Sequence, residues 1–195
     1  SGARYEGTRG YEKEHHWDFD GVASLLVNYR PSGRIEAGYQ YTSYSEHGEY
    51  NIKYWDRKMK DFVWQDNLHA PFFYRRQIHS LYAMLTDRMG KVEFDAGLRA
   101  DHTIDELTIS VAGADRYIRR LELFPSAHVS YDAGRGNVLT LGYSYRTNRP
   151  GIWQLEPYIT YEDYYTKQIG NPDIRPEYIH TVEVGYRKSF AQENS

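Results

Sequence analysis

The feature that most constrains the fold is a repeated two-residue alternation of apolar and polar side chains. A period of two is that of a β-strand, whose successive side chains point to opposite faces. The clearest case is 92–101, where Val92, Phe94, Ala96, Leu98 and Ala100 alternate with Glu93, Asp95, Gly97, Arg99 and Asp101. The pattern recurs at 138–147 and 178–187, and less cleanly at 17–29, 34–43, 75–87 and 123–132. The sequence therefore predicts an all-β fold with about seven strands.

The connections between these strands alternate in length. Short glycine-bearing segments at 30–34, 87–91 and 132–137 are typical of hairpin turns. Long connections are predicted at 44–74, 102–120 and 147–177. Short turns at one end and long loops at the other are the layout of an antiparallel, up-and-down transmembrane β-barrel. Strands of about 10 residues also match the length needed to cross a bilayer at a tilt.

A soluble antiparallel β-sandwich is the main alternative, because its strands also alternate. Strands in soluble proteins average about 5 or 6 residues, roughly half the length predicted here. The polar positions mix small and charged side chains, as a water-filled lumen allows, and tyrosines cluster where strands meet the long connections. The pattern favours the membrane barrel, and a tyrosine-rich, carbohydrate-binding sandwich stays open.

Composition removes several classes of protein. The net charge is −3, so the chain lacks the clustered basic excess of a nucleic-acid-binding protein. It has no cysteine, which excludes disulfides and thiolate sites. No apolar run of about 18 residues is present, and the first residues lack the features of a signal peptide. The 20 tyrosines suit surfaces that are apolar at one end and wet at the other, such as a membrane interface or a binding loop.

No residue pattern indicates catalysis or metal binding. Glu93 and Asp95 share a strand face at about 7 Å, but paired carboxylates are ordinary in a barrel lumen. The eight histidines show no ligand spacing such as H-E-x-x-H. The acidic stretch 101–106 lacks the Ca²⁺-loop pattern, so it is interpreted as solvated loop charge. The sequence therefore predicts a protein that is not an enzyme and has no metal site and no cofactor.

Four segments carry a resemblance to a known family. They are "GLRAD" (97–101), "LFPSAHVSY" (123–131), "LGYSYRTNRPGIWQLEPY" (141–158) and "GNPDIRPEYIHTVEVGY" (170–186). Their order and spacing resemble the C-terminal barrel portion of TonB-dependent receptors, and more narrowly the outer-membrane β-barrel family of Bacteroidota. The resemblance extends over about residues 20–190.

The resemblance implies a barrel of about 22 strands around a plug. Residues 1–195 would form part of that barrel domain, with the plug, a TonB box and further strands expected outside this sequence. It implies a place in the bacterial outer membrane, with membrane lipid, the plug and the TonB complex as partners. The implied function is uptake of a scarce ligand of siderophore, glycan or peptide type. An adhesion or surface-assembly barrel remains the alternative.

The barrel interpretation assigns a role to each strand face and to the last loop. Apolar residues are expected to face lipid: Val92, Phe94, Leu98, Leu139, Leu141, Val182 and Val184. Charged residues are expected to face the lumen: Glu93, Asp95, Arg99, Asp101, Glu183 and Arg187. The loop aromatics are the candidate ligand contacts: Trp153, Tyr158, Tyr161, Tyr164 and Tyr165. Packing of these aromatics on other loops is an equally good interpretation. Within that loop, 150–157 is expected to form one helical turn and "GNPD" (170–173) a chain reversal.

Overall fold

The computed structural model describes residues 7–64, 70–109, 115–155, 159–161 and 166–190. Its elements are β1 (Thr8–Arg30), β2 (Gly33–Asp56), β3 (Asp61–Trp64), β4 (Ala70–Met89), β5 (Val92–Ile109), β6 (Arg116–Gly134), β7 (Asn137–Asn148), α1 (Ile152–Leu155), β8 (Ile159–Tyr161), β9 (Lys167–Ile169) and β10 (Glu177–Lys188). Eight of these strands form one antiparallel sheet in the order β1-β2-β4-β5-β6-β7-β10, with β3 paired to the same edge of β2 as β4. A small second sheet contains β8 and β9. The predicted all-β, up-and-down topology is confirmed.

The three short turns lie at one end of the sheet, called the turn end below. They occupy 31–32, 90–91 and 135–136, as predicted. Gly90 and Gly136 adopt φ of 62° and 75°, a left-handed conformation in which a side chain would be strained. The opposite end is called the loop end. No helix of the described residues is long and apolar enough to cross a membrane.

The strands extend much further toward the loop end than the sequence pattern predicted. β2 continues to Asp56 and β4 begins at Ala70, while β5 continues to Ile109 and β6 begins at Arg116. The prediction that 44–74 and 102–120 are mainly loops is therefore wrong. The single alternation that defines one apolar face does not continue through these extensions, because the hydrophobic residues change sides.

Each strand presents one polar and one apolar face along its turn-end half. Directly opposite residues of paired strands share a face. One row of such pairs joins Phe94, Val129, Leu141 and Val184, and it defines the apolar face. A row on the other side joins Gln40, Ser80, Asp101 and Glu122, and it defines the polar face.

The apolar face is open to its surroundings. Leu98, Leu141 and Val184 are 50%, 53% and 80% exposed. The other residues predicted on this face lie in the same alternation: Val92, Phe94, Leu139 and Val182. A continuous apolar surface of this extent is not stable in water and requires an apolar neighbour.

The loop-end half has its hydrophobic side chains on the polar face instead. Phe72, Tyr74, Leu107 and Ile109 continue that face and are at most 4% exposed. They pack with Leu155 of α1, the partly buried Ile152 and Tyr44. The sheet therefore has a conventional buried core at the loop end.

One buried carboxylate lies on the apolar face at the turn end. Asp87 is 2% exposed and sits opposite Phe94. The Tyr29 hydroxyl donates to it at 2.5 Å and the Arg30 Nε at 3.0 Å. The Ser32 hydroxyl donates at 3.3 Å. These bonds satisfy the charge and tie the first turn to the second.

Candidate functional site

The candidate site is the cluster of charges on the polar face between the two halves of the sheet. Arg99 is at its centre, and its guanidinium donates in three directions. The acceptors are Asp101 at 2.7 Å, the Gln40 amide oxygen at 2.9 Å and the Ser80 hydroxyl at 2.8 Å. The guanidinium therefore links three neighbouring strands through a single side chain.

Two adjacent carboxylates are the acidic part of this cluster. Asp101 and Glu122 sit directly opposite each other, and only 2% and 8% of their surfaces are exposed. Like charges in that position destabilise a sheet, and a buried charge needs a partner. Arg149 supplies it, because its Nη2 donates to Asp101 at 3.0 Å and to Glu122 at 2.8 Å. The Tyr178 hydroxyl donates to the other Glu122 oxygen at 2.6 Å.

Tyr178 reaches Glu122 through a gap between β6 and β7. The pairing of these strands stops at Ser126 and Ser144, next to Pro125, which has no backbone N–H. Three aromatic rings pack in this gap. The Tyr145 ring centroid is 5.6 Å from that of Phe124 and 6.0 Å from that of Tyr178. The alternation of residues 178–187 predicts that Tyr178 lies with Val182 on the apolar face, but its hydroxyl contacts Glu122 on the polar face.

A second ion cluster lies one step nearer the loop end. Asp105 accepts from Arg76 Nε at 2.6 Å and from Arg120 Nη2 at 2.6 Å, one oxygen for each arginine. Asp105 is 7% exposed. The interpretation of this stretch as solvated loop charge is wrong, because Asp105 is a buried strand residue. Burial raises the pKa of the neighbouring Tyr74 hydroxyl above its ordinary value. The positive charge of Arg76 lowers this pKa and the negative charge of Asp105 raises it, but burial has the largest effect.

The segment after β7 is fastened over both clusters. Arg149 binds the acidic pair, and the Pro150 carbonyl accepts from Arg76 Nη1 at 3.1 Å. Leu155 of α1 is in the hydrophobic core. Further along, the Pro172 carbonyl accepts from Arg116 Nη1 at 2.8 Å, and Arg116 also pairs with Asp173. We call residues 149–174 the strap, of which 149–155, 159–161 and 166–174 are described.

The local predictions for the strap are confirmed where it is described. Residues Ile152–Leu155 form one helical turn. Asn171 forms the chain reversal, because its side-chain oxygen accepts from the Asp173 N–H at 2.9 Å and its carbonyl from the Ile174 N–H at 3.2 Å. Trp153 is 60% exposed. Tyr158, Tyr164 and Tyr165 lie outside the described residues, and of Tyr161 only the backbone in β8 is described.

The six charged residues predicted for one face do share the polar face. The register joins Asp95 with Glu183 through His128 and Gly142, and Glu93, Arg99, Asp101 and Arg187 follow the same alternation. Arg99 and Asp101 pair with each other. Asp95 accepts from the Thr86 hydroxyl at 2.5 Å. Glu93, Glu183 and Arg187 are exposed near the turn end.

Sequence reasoning missed most members of these clusters: the buried acids Asp105 and Glu122, their partly buried partners Arg76, Arg120 and Arg149, and the exposed Tyr178. A usable signal was present, because Thr103, Asp105, Leu107 and Ile109 continue the polar-face alternation of 93–101 without a break. Extending β5 and its pairing from the short turn would have placed Arg76 opposite Asp105. No group of three or more histidines and carboxylates in the described residues could hold a metal ion.

Comparison with known proteins agrees with this architecture. The solved structure of the ferric citrate transporter FecA in its unliganded form matches 93% of this chain with a TM-score of 0.57 and 15% identity. The chain spans 26% of the length of that transporter. No curated protein matches the chain. At this identity the likeness concerns the fold alone.

The family match covers almost the whole chain. The outer membrane protein beta-barrel family matches residues 11–194. This result explains the exposed apolar face, whose neighbour is membrane lipid, and it rules out the soluble sandwich. The protein is located in the outer membrane, and the chain belongs to the outer membrane protein beta-barrel family.

Proposed function

We propose that this chain is the part of a TonB-dependent receptor barrel that takes a scarce ligand across the outer membrane, as in the Bacteroidota branch of such receptors. The observation that carries the proposal is the buried charge cluster on the polar face, with the strap fastened to it. A barrel that served only as a membrane anchor would not need so many buried ions at its loop end. A transporter needs polar groups where ligand and plug meet the wall.

In this proposal the polar face lines the lumen. Glu93, Glu183 and Arg187 offer exposed hydrogen-bonding groups near the turn end, where a plug would contact the wall, and the partly buried Asp95 lies on the same face. Arg99, Asp101, Glu122 and Arg149 hold the strap against the wall at the loop end. The plug and the TonB complex would be the partners that release the ligand inward.

The strap aromatics are proposed as ligand contacts. Trp153 lies three residues after Pro150, an anchoring residue of the strap, and is 60% exposed, so a ligand can reach its indole. Tyr158, Tyr161, Tyr164 and Tyr165 belong to the same segment of chain. Exposed aromatic side chains give large contact areas at small entropic cost, which suits planar chelates and sugars alike.

The test is uptake by cells that lack the full-length gene. Deletion should abolish growth on one scarce nutrient, supplied in turn as an iron chelate, an oligosaccharide or a peptide. Removing TonB should have the same effect, and the complemented strain should recover. If growth on all three nutrients is unchanged while attachment to a surface is lost, the protein is an adhesion barrel.

A further inference from the structure

A second candidate site lies on the opposite side of the sheet, near the loop-end tips of β1, β2 and β3. Arg9, Lys53 and Trp64 form one row of directly paired residues across these strands. Tyr11 and Phe62 lie next to that row on the same side. We call these five residues the outer patch. Unbroken alternation from Arg9 to Phe19 places the patch on the apolar face, away from the charge cluster and the strap.

The two cations of the outer patch rest on aromatic rings. The Arg9 guanidinium lies 4.2 Å from the centroid of the Phe62 ring, and the Lys53 ammonium lies 4.1 Å from that of Trp64. The rings of Trp55 and Phe62 pack edge to face, with their centroids 5.2 Å apart. The rings fix the positions of the cations without neutralising them.

The same cations lack carboxylate partners among the side chains that the structure describes. The partly buried arginines of the polar face, Arg76 and Arg149, are paired with acids. Arg9 and Lys53 instead face each other directly, an arrangement of like charges that destabilises a strand pair. An anion bound between them would relieve the repulsion.

The space beside these cations has the dimensions of a ligand site. A groove of about 400 Å³ is lined by the outer patch together with Gly10 and Asp61. Small-molecule sites usually enclose about 300–1,000 Å³. Tyr11 and Trp64 are 56% and 48% exposed, so both rings are open for stacking. Asp61 pairs directly with Asp56, so its side chain alternates away from the outer patch, and one of its oxygens accepts from the Phe62 N–H at 2.7 Å.

The position of the groove narrows the class of ligand. Arg9 precedes the exposed Phe19 by ten residues, or roughly 33 Å at about 3.3 Å per residue. The outer patch therefore lies well beyond the apolar band, on the outward side, where surface saccharides surround the barrel. Cations for an acidic group and open rings for a sugar face together match an acidic sugar.

We propose that the outer patch binds an anionic saccharide, with its phosphate or carboxylate between Arg9 and Lys53 and a sugar ring against Tyr11 or Trp64. Phosphate would come from the lipopolysaccharide core of the surrounding leaflet, and carboxylate from a uronic-acid polysaccharide. The site is independent of the proposed uptake of ligand through the lumen.

The experiment is titration calorimetry on the full-length protein in detergent with three probes. These are the phosphorylated core oligosaccharide released from lipopolysaccharide, trigalacturonate, and neutral maltotriose. One of the two anionic probes should bind, with at least tenfold weaker binding in the double variant Arg9→Gln/Lys53→Gln. Maltotriose should bind at least tenfold more weakly than that probe. The preferred anionic probe identifies the source of the ligand.

Arg119→Gln is the matched control. Arg119 also lies on the apolar-face side, stacks 4.9 Å from the Tyr117 ring centroid and is exposed, but it faces Ile104 rather than a second cation. Arg119→Gln should leave the affinity for the preferred anionic probe within twofold of the wild-type value. Trp64→Ala should reduce that affinity severalfold. Absence of binding by both anionic probes, or equal affinity in the double variant and the wild type, would overturn the proposal. The double variant should also transport normally, which separates this site from the lumen.

Discussion

Arg75 and Arg76 are neighbours on β4 and pair with neighbouring acids on β5, yet they lie on opposite faces of the sheet. Arg76 and Asp105 are on the polar face, where their side chains are 15% and 10% exposed. Arg75 and Glu106 are on the other face, at 45% and 35%. At the turn end the same side of the sheet is also exposed, but there it carries apolar side chains such as Leu98 and Val184. In the membrane half the exposed face is therefore apolar. In the loop-end half the same face is exposed but charged, and the hydrophobic side chains are buried on the other face.

The largest effect is expected from breaking the buried pair. Arg76→Met leaves Asp105 with Arg120 as its one cationic partner among the described residues and removes the donor to the Pro150 carbonyl. Loss of one partner of a buried ion pair costs about 3–5 kcal/mol. We expect urea titrations of the full-length barrel to show a fall in the free energy of unfolding near the lower end of that range. The strap should become sensitive to protease before the rest of the barrel. A loss below about 1 kcal/mol would show that the loop-end half is not packed as described.

Introducing charge into the membrane half should cost nearly as much. Leu141→Arg places a cation on the apolar face, at about 2–4 kcal/mol if it is near the midplane. The matched variant Thr140→Arg, one residue away on the polar face, should cost much less. Equal losses in refolding titrations would contradict the assignment of the two faces.

An effect on uptake rather than stability is expected from the strap. Trp153→Ala removes an exposed ring, so stability should change by no more than about 0.5 kcal/mol. Apparent affinity in the uptake assay should fall by roughly fivefold, equivalent to about 1 kcal/mol of binding. Unchanged uptake at normal expression would make Trp153 a packing residue.

The smallest effect is expected from breaking the exposed pair of Arg75 and Glu106. Arg75→Met breaks a pair that water already screens, and exposed pairs contribute about 0–1 kcal/mol. The same urea titration as for Arg76→Met measures it. If Arg75→Met lowered the free energy of unfolding as much as Arg76→Met does, the two faces would not differ in burial at the loop end as described.

The sequence could predict the membrane half because one physical rule operates there. Lipid on one side and water on the other select apolar and polar side chains alternately, so the faces and the short turns follow directly from positions such as 92–101 and 138–147. The strap's helical turn and its reversal at Asn171 also follow from local rules about proline and asparagine.

The loop-end half could not be predicted in the same way because its hydrophobic side changes. His102, Glu106 and Thr108 occupy the face that carried Leu98, while Leu107 and Ile109 occupy the face that carried Arg99. A search for one continuous apolar face therefore stops near Asp101. The partners of the buried acids also come from distant strands and the strap, and only the register brings them together.

The change of side along the sheet is tested most directly by spin labels. The chain contains no cysteine, so single cysteines can be introduced at Leu98, Leu141, Val184, Arg75 and Arg119, all on the apolar-face side. In a cysteine-free full-length protein in liposomes, labels at the first three should be accessible to oxygen and shielded from a water-soluble nickel reagent. Labels at Arg75 and Arg119 should show the reverse. The same accessibility at all five positions would contradict a sheet that passes from lipid into water.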